Sequence, residues 1–209
     1  PLRPAAAHRM AAAGGGGGGE RYRDPVSAVL GRLLPNLGEG DEAAQGLAPG
    51  ELAFADEPKR PLPPAAMMSE IRKGLEAYSW FVTGNVDARY FSDAFRFVDP
   101  SVQTESLTDY AEGTAKIFDQ GDSTMQVADV EVGEGAEGQP CLVVTWRLDA
   151  RVTLPFRPKV KPFMIETRMY IGEDGLIEAQ EDQFLIPAWD VFLSAFIPGI
   201  GAPPAPELS

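Results

Sequence analysis

The chain has 209 residues, 44% of them hydrophobic, enough for one domain with a full core plus segments outside it. Its net charge of −13 is uneven: residues 1–65 hold 8 acids and 7 bases, residues 66–209 hold 23 acids and 11 bases, and so acidic a domain repels a phosphate backbone, which counts against a nucleic-acid partner. The one cysteine, Cys141, excludes an internal disulfide, and the one histidine, His8, lies in the low-complexity start, which leaves the domain without Ser-His-Asp catalysis or a histidine-rich metal site.

In chain order, residues 1–24 are Ala/Gly-rich, contain arginine and carry no acid before Glu20, the composition of a plastid or mitochondrial targeting segment. No stretch is long and apolar enough to span a bilayer. The expectation is a soluble protein imported into a chloroplast. Residues 25–66 read as an arm followed by a linker. In the arm, Val26, Val29, Leu30, Leu33 and Leu34 recur at helical spacing before Pro35 and Gly38, and the following stretch is rich in proline, glycine and acids.

The domain proper is expected over 67–198. "PPAAMMSEIRKGLEAYSWFVTGN" predicts one long amphipathic helix, with Met68, Ile71, Leu75, Tyr78 and Val82 on its apolar face and Gly84 as its C-cap. "VDARYFSDAF" predicts a short second helix, and "FRFVD" a strand that Pro100 stops. "SLTDYAEGTAKIFDQGD" predicts a third helix, capped by Ser106 and Asp109 and ended at Gly121. The period then changes to two, and "TMQVADVEV", "CLVVTWRLDARVTL", "FMIETRMYI" and "LIEAQEDQF" predict four strands. Helices followed by a meander imply an α+β fold with an antiparallel sheet. "PAWDVFLSAFIPG" predicts a last helix with Trp189, Phe192, Leu193 and Phe196 on one face, and residues 199–209 a disordered tail.

Several residues are candidates for chemistry. Asp99 ends the first strand: at the mouth of an apolar hollow it suits a general base, whereas before Ser101 it suits a turn cap that accepts backbone N–H bonds. Alternation sets Leu142, Val144, Trp146 and Leu148 on one face of their strand and Cys141, Val143, Thr145, Arg147 and Asp149 on the other. Trp146 reads as core or pocket wall, and Cys141 as a buried, inert thiol. Arg147, Glu166, Arg168, Glu178 and Asp182 suit ion pairs on an outer sheet face, with Glu166 or Asp182 inside the hollow as the other reading. The loop "PFRPKVKP" is the basic cluster of an acidic domain and suits either an anionic partner or a solvated hairpin tip.

The blocks "FRFVDP", "TWRLDARVTLPFRPKVKPF" and "TRMYIGEDGLIEAQEDQF", over roughly residues 69–190, resemble an uncharacterised plant-plastid and cyanobacterial branch of the nuclear transport factor 2-like, SnoaL-like superfamily, at times joined to SOUL haem-binding domains. That resemblance implies a cone of three N-terminal helices on a curved antiparallel sheet, with a homodimer through the sheet face. It matches Asp99 to the base of ketosteroid isomerases and sets Tyr78 near their hydrogen-bonding tyrosine, about one residue out of register. Met164 falls where those enzymes keep a protonated aspartate. A ligand pocket would then involve Trp80, Phe97, Trp146, Met164, Glu166 and Asp182. The expected function is a noncatalytic domain binding a small apolar or amphipathic molecule or a protein partner, without cofactor or metal; the alternative is an isomerase or cyclase with Asp99 as base and Tyr78 as donor.

Overall fold

A computed structural model describes residues 21–22, 47–136, 138–197 and 199–208. The arm at 25–37 and the targeting-like segment, apart from the backbone of Arg21 and Tyr22, lie outside the described residues. The helices are α1 (Pro64–Tyr78), α2 (Trp80–Thr83), α3 (Leu107–Ile117) and α4 (Ala188–Ser194). The strands are β1 (Arg21–Tyr22), β2 (Phe91–Val98), β3 (Val102–Thr104), β4 (Thr124–Glu134), β5 (Pro140–Arg151), β6 (Lys159–Ile171) and β7 (Ile177–Phe184). They form one sheet in the order β1-β3-β2-β7-β6-β5-β4. This is an α+β fold whose sheet is curved and unclosed. Register shifts between Val127 and Asp129, and between Leu148 and Ala150, mark where the long strands bend. All pairings are antiparallel except β2 with β7, which run side by side in the same direction, because the helical and hairpin segments between them carry the chain back to the starting end.

The predicted long helix breaks in two. Ser79 adopts a left-handed conformation (φ 51°, ψ 46°) and its N–H still reaches Leu75 O, closing α1. The break turns Trp80 back onto Gly74, where an added Cβ would lie 2.0 Å from the indole ring. Gly74, unfavourable in a helix interior, is there to admit that ring. The predicted cap at Gly84 closes α2 with φ 73°. The buried face of α1 is Met67, Ile71 and Leu75, with Met68 and Tyr78 half-buried beside it.

The predicted second helix is a three-residue 3₁₀ turn, Ala88–Tyr90, capped by the Asp87 carboxylate. Residues from Phe91 onward join the sheet instead, since Phe91, Phe95 and Phe97 are all driven into the core and β7 offers a pairing edge. The α3 cap is as predicted: Ser106 Oγ accepts the Asp109 N–H at 3.0 Å.

Two stretches expected to be loose are fastened. Within the linker, the Asn85 amide donates to Ala48 O and Glu51 O, Ala53 bridges Val86 and Ala88, and Leu62 N–H meets Gly175 O. At the C-terminal end, Lys161 Nζ donates to Ile200 O and Ala202 O, Ala205 N–H to Pro162 O, and Arg147 Nε to Ala205 O. Residues 199–208 therefore cross the outer side of the sheet, where their carbonyls accept from Lys161 and Arg147 and the Ala205 N–H meets Pro162 O.

Candidate functional site

The inner face of the sheet carries an aromatic filling and, within it, a chain of polar groups. Parity places Trp146 on β5, Thr167 on β6, and Gln180 and Asp182 on β7 on this side, because Val144 opposes Thr167, Thr167 opposes Asp182, and Met169 opposes Gln180. Trp146 Nε1 donates to Thr167 Oγ1 (2.9 Å), and Thr167 Oγ1 donates to Asp182 Oδ1 (2.7 Å). Gln180 Nε2 donates both to Asp182 Oδ1 and to the Tyr110 hydroxyl, each at 3.2 Å. Gln180 Oε1 is buried without a hydrogen-bond partner among the described residues.

Asp99 sits at the tip of the β2–β3 turn. Its Oδ1 accepts the N–H groups of Ser101 and Val102, both at 2.5 Å, which is the turn-capping role. Its charge also reaches the inner cluster and disfavours ionisation of both Asp182 and Tyr110. Burial is the larger influence on each. It pushes the Asp182 carboxyl up to about 7, against the Thr167 and Gln180 bonds that favour the carboxylate, and holds the Tyr110 phenol above its ordinary value. Burial thus favours the protonated form of Asp182, whose Oδ1 accepts from Thr167 and Gln180.

Aromatic side chains pack around the cluster. The Tyr110 ring lies 4.7 Å from Phe97 and 5.9 Å from Phe95, and Phe81 lies 4.8 Å from Trp146. Trp80 meets Phe91 edge-on at 6.2 Å. Trp80, Phe97 and Trp146 are therefore core residues here, with Trp146 also the first donor of the polar chain. Tyr78 is half-buried against the edge of the core; the tyrosine that enters the carboxylate cluster is Tyr110.

Met164 and Glu166 have the opposite parity and belong to the outer face, as Phe163, Ile165 and Thr167 are the buried residues of β6. There Glu166 pairs with Arg168 at 2.7 Å, and both line a concavity of about 360 Å³ with Glu134, Tyr170, Glu181 and Gln183. A second concavity of about 480 Å³ lies between Pro61–Pro64 and the turn 172–175. Burial pushes the Cys141 thiol up, consistent with an inert side chain. Of the expected outer-face acids, Glu178 accepts from Gln139 Nε2 (2.6 Å), whereas Asp182 faces inward.

Sequence reasoning missed Tyr110, Thr167 and Gln180 as members of a site. Tyr110 looked like any apolar helix position. Gln180 and Asp182 share a face by their spacing of two, a signal available in "EAQEDQF" once the inner parity of β7 is known.

Among the described residues no three His, Cys, Asp or Glu side chains meet as a metal-holding group, and no helix is long and apolar enough to cross a membrane. No protein-family model and no curated protein matches the sequence. Solved structures to which this one is similar include a SnoaL-like polyketide cyclase candidate from a Jannaschia species (16% identity, 66% of this chain and 96% of that one, TM-score 0.45). An epoxide hydrolase/cyclase-like enzyme with a role in pyran ring formation in the polyether salinomycin is similar over 60% of this chain and 95% of its own (16% identity, TM-score 0.42). A nuclear transport factor 2-like protein from Anabaena variabilis matches 58% of this chain and 86% of its own (12% identity, TM-score 0.39).

Proposed function

We propose that this is a noncatalytic binding domain of a plastid protein, which takes a small amphipathic molecule on the outer face of its sheet. One observation carries the reading: the inner side is filled by Trp80, Phe91, Phe95, Tyr110 and Trp146, while the outer side holds the open concavity of about 360 Å³ beside Tyr170. Its wall offers the Tyr170 ring as an apolar platform and three carboxylates, Glu134, Glu166 and Glu181, against the single guanidinium of Arg168. That balance favours a ligand with an apolar body and a cationic or N–H-donating head. The Arg-containing, acid-free stretch before Glu20 supports the plastid location. Native mass spectrometry of protein purified from its own source tests the reading. The expected result is a retained small molecule, released by Tyr170→Ala or Glu166→Lys and kept by Asp182→Asn. Release by Asp182→Asn alone would move the ligand to the inner face and overturn the assignment.

An isomerase or cyclase reading draws on a different observation, the Asp99 charge that disfavours ionisation of Asp182 and of Tyr110, which Gln180 links by hydrogen bonds. In that reading Asp99 takes the proton next to a carbonyl, and Asp182 or Tyr110 donates to the enolate oxygen. Exchange of solvent deuterium into a panel of enolisable ketones, abolished by Asp99→Asn, would establish it. A panel without exchange leaves the binding domain.

A further inference from the structure

The end of the cone closed by α4 presents the largest group of exposed apolar side chains on the described residues: Leu185, Trp189, Leu193, Phe196 and Ile197, with Trp189 56% and Phe196 66% exposed. The helix itself is firmly seated. Val191 enters the core, Ser194 Oγ accepts the Lys161 N–H at 3.2 Å, and Lys161 Nζ meets the buried Asp190 at 2.5 Å. So α4 buries Asp190, Val191 and Ser194 and turns its aromatic side outward, the reverse of what an aromatic stripe at helical spacing predicts for a lone closing helix.

We propose that this face is the docking surface for the chain's own N-terminal arm, residues 25–37. Strand direction brings the arm there. In β1, Arg21 opposes Gln103 and Tyr22 opposes Val102, antiparallel to β3, so the chain leaves Tyr22 heading toward the Asp99 turn. β2 and β7 run in that same direction, and β7 leads directly into α4. The exit of β1 and the start of α4 therefore lie at one end of the sheet, three strand spacings apart, roughly 14 Å. The arm's apolar positions, Val26, Val29, Leu30, Leu33 and Leu34, would form a helical stripe about 12 Å long, and Trp189 to Ile197 covers the same number of residues.

The return is long enough as well. Beyond the stripe's last apolar position, Leu34, residues 35–46 lead to Leu47, after which Ala48 and Gly50 are held by Asn85 and Thr83. Twelve residues reach roughly 40 Å, about the diameter of a domain of this size. An anionic surface is a poorer occupant, because the nearby cations Arg151, Arg157 and Lys159 are already paired with Asp122, Asp119 and Asp149.

Trp189 makes the test direct, since Trp80 and Trp146 are enclosed and the chain has three tryptophans. In the full chain Trp189 fluorescence should resist acrylamide quenching, and Leu30→Asp with Leu33→Asp should raise the quenching constant severalfold at unchanged monomer mass. Trp189→Phe should abolish that difference. Oxidative trapping of Leu33→Cys with Leu193→Cys gives an independent readout that keeps the arm's remaining apolar positions, and a bond formed within one chain supports the docking. Free quenching of Trp189 in the unmodified chain would overturn the proposal. So would shielding that disappears on dilution together with a dimer mass, or a trapped bond found only between chains, both of which assign the face to a second copy.

Discussion

The two faces of the same sheet handle polar groups in opposite ways. On the inner face, Trp146, Thr167, Asp182, Gln180 and Tyr110 form a continuous series of hydrogen bonds inside an aromatic packing. On the outer face, Glu166 and Arg168 pair at the surface, with side chains 26% and 38% exposed. Water screens the outer pair, so its loss changes little. The inner series is screened far less, with Trp146, Thr167, Gln180 and Tyr110 buried and Asp182 half-buried, so each member depends on the next.

Removing the head of the inner series is the strongest challenge to this contrast. Trp146→Ala leaves a cavity against Phe81 and takes the indole donor from Thr167; it should cost about 3–5 kcal/mol in urea unfolding. A loss no larger than that of a surface variant would mean that the inner face is not the core.

Next comes pH. With the Asp182 carboxyl raised from 3.8 to about 7, the native state keeps a proton that the unfolded chain has released between those values. The contribution of Asp182 to stability is therefore fully present below about pH 4, falls as pH rises through the window, and levels off above about pH 7, while Glu70 and Asp190, whose carboxyls are lowered, act in the opposite sense at acid pH. Asp182→Asn should flatten this slope, making the variant more stable than the parent at about pH 8 by on the order of 2–4 kcal/mol. Urea unfolding across the window checks the sign.

The helix that carries Tyr110 into the cluster is tested by Ser106→Ala, which frees the Asp109 N–H and should cost about 1 kcal/mol. The tyrosine should keep its position, visible as an unchanged near-ultraviolet circular dichroism spectrum. Smallest of all, Glu166→Gln should move stability by less than about 0.5 kcal/mol while weakening any ligand at the outer concavity. A larger stability loss would show that the outer face is not the solvated side.

Much of this arrangement was legible in the sequence. Period-two alternation gave β4 to β7, although β5 ends at Arg151 rather than Leu154 and β6 begins at Lys159, inside the expected basic loop, and Ser106 announced the start of α3. Asp99 was read both as base and as turn cap, and its bonds to Ser101 and Val102 are those of the cap. Less legible were the positions where a side chain's partner comes from far along the chain. Nothing local to "AYSWF" shows that Trp80 must turn back onto Gly74, and nothing local to "ARYFSD" shows that β7 waits to pair with it. Glu166 and Asp182 looked equivalent as candidates, yet one faces solvent and the other faces Thr167.

The sequence by itself determined the four long strands β4 to β7, the helices α3 and α4, their order, the alternating faces and the caps, because those follow from backbone periodicity and from side chains acting on amides a few residues away. Tertiary structure alone decided which alternating face is inside, that aromatic rings pack there, and that α4 shows its aromatic side to solvent. Those outcomes depend on which distant surfaces meet, and burial is a property of the meeting rather than of either strand.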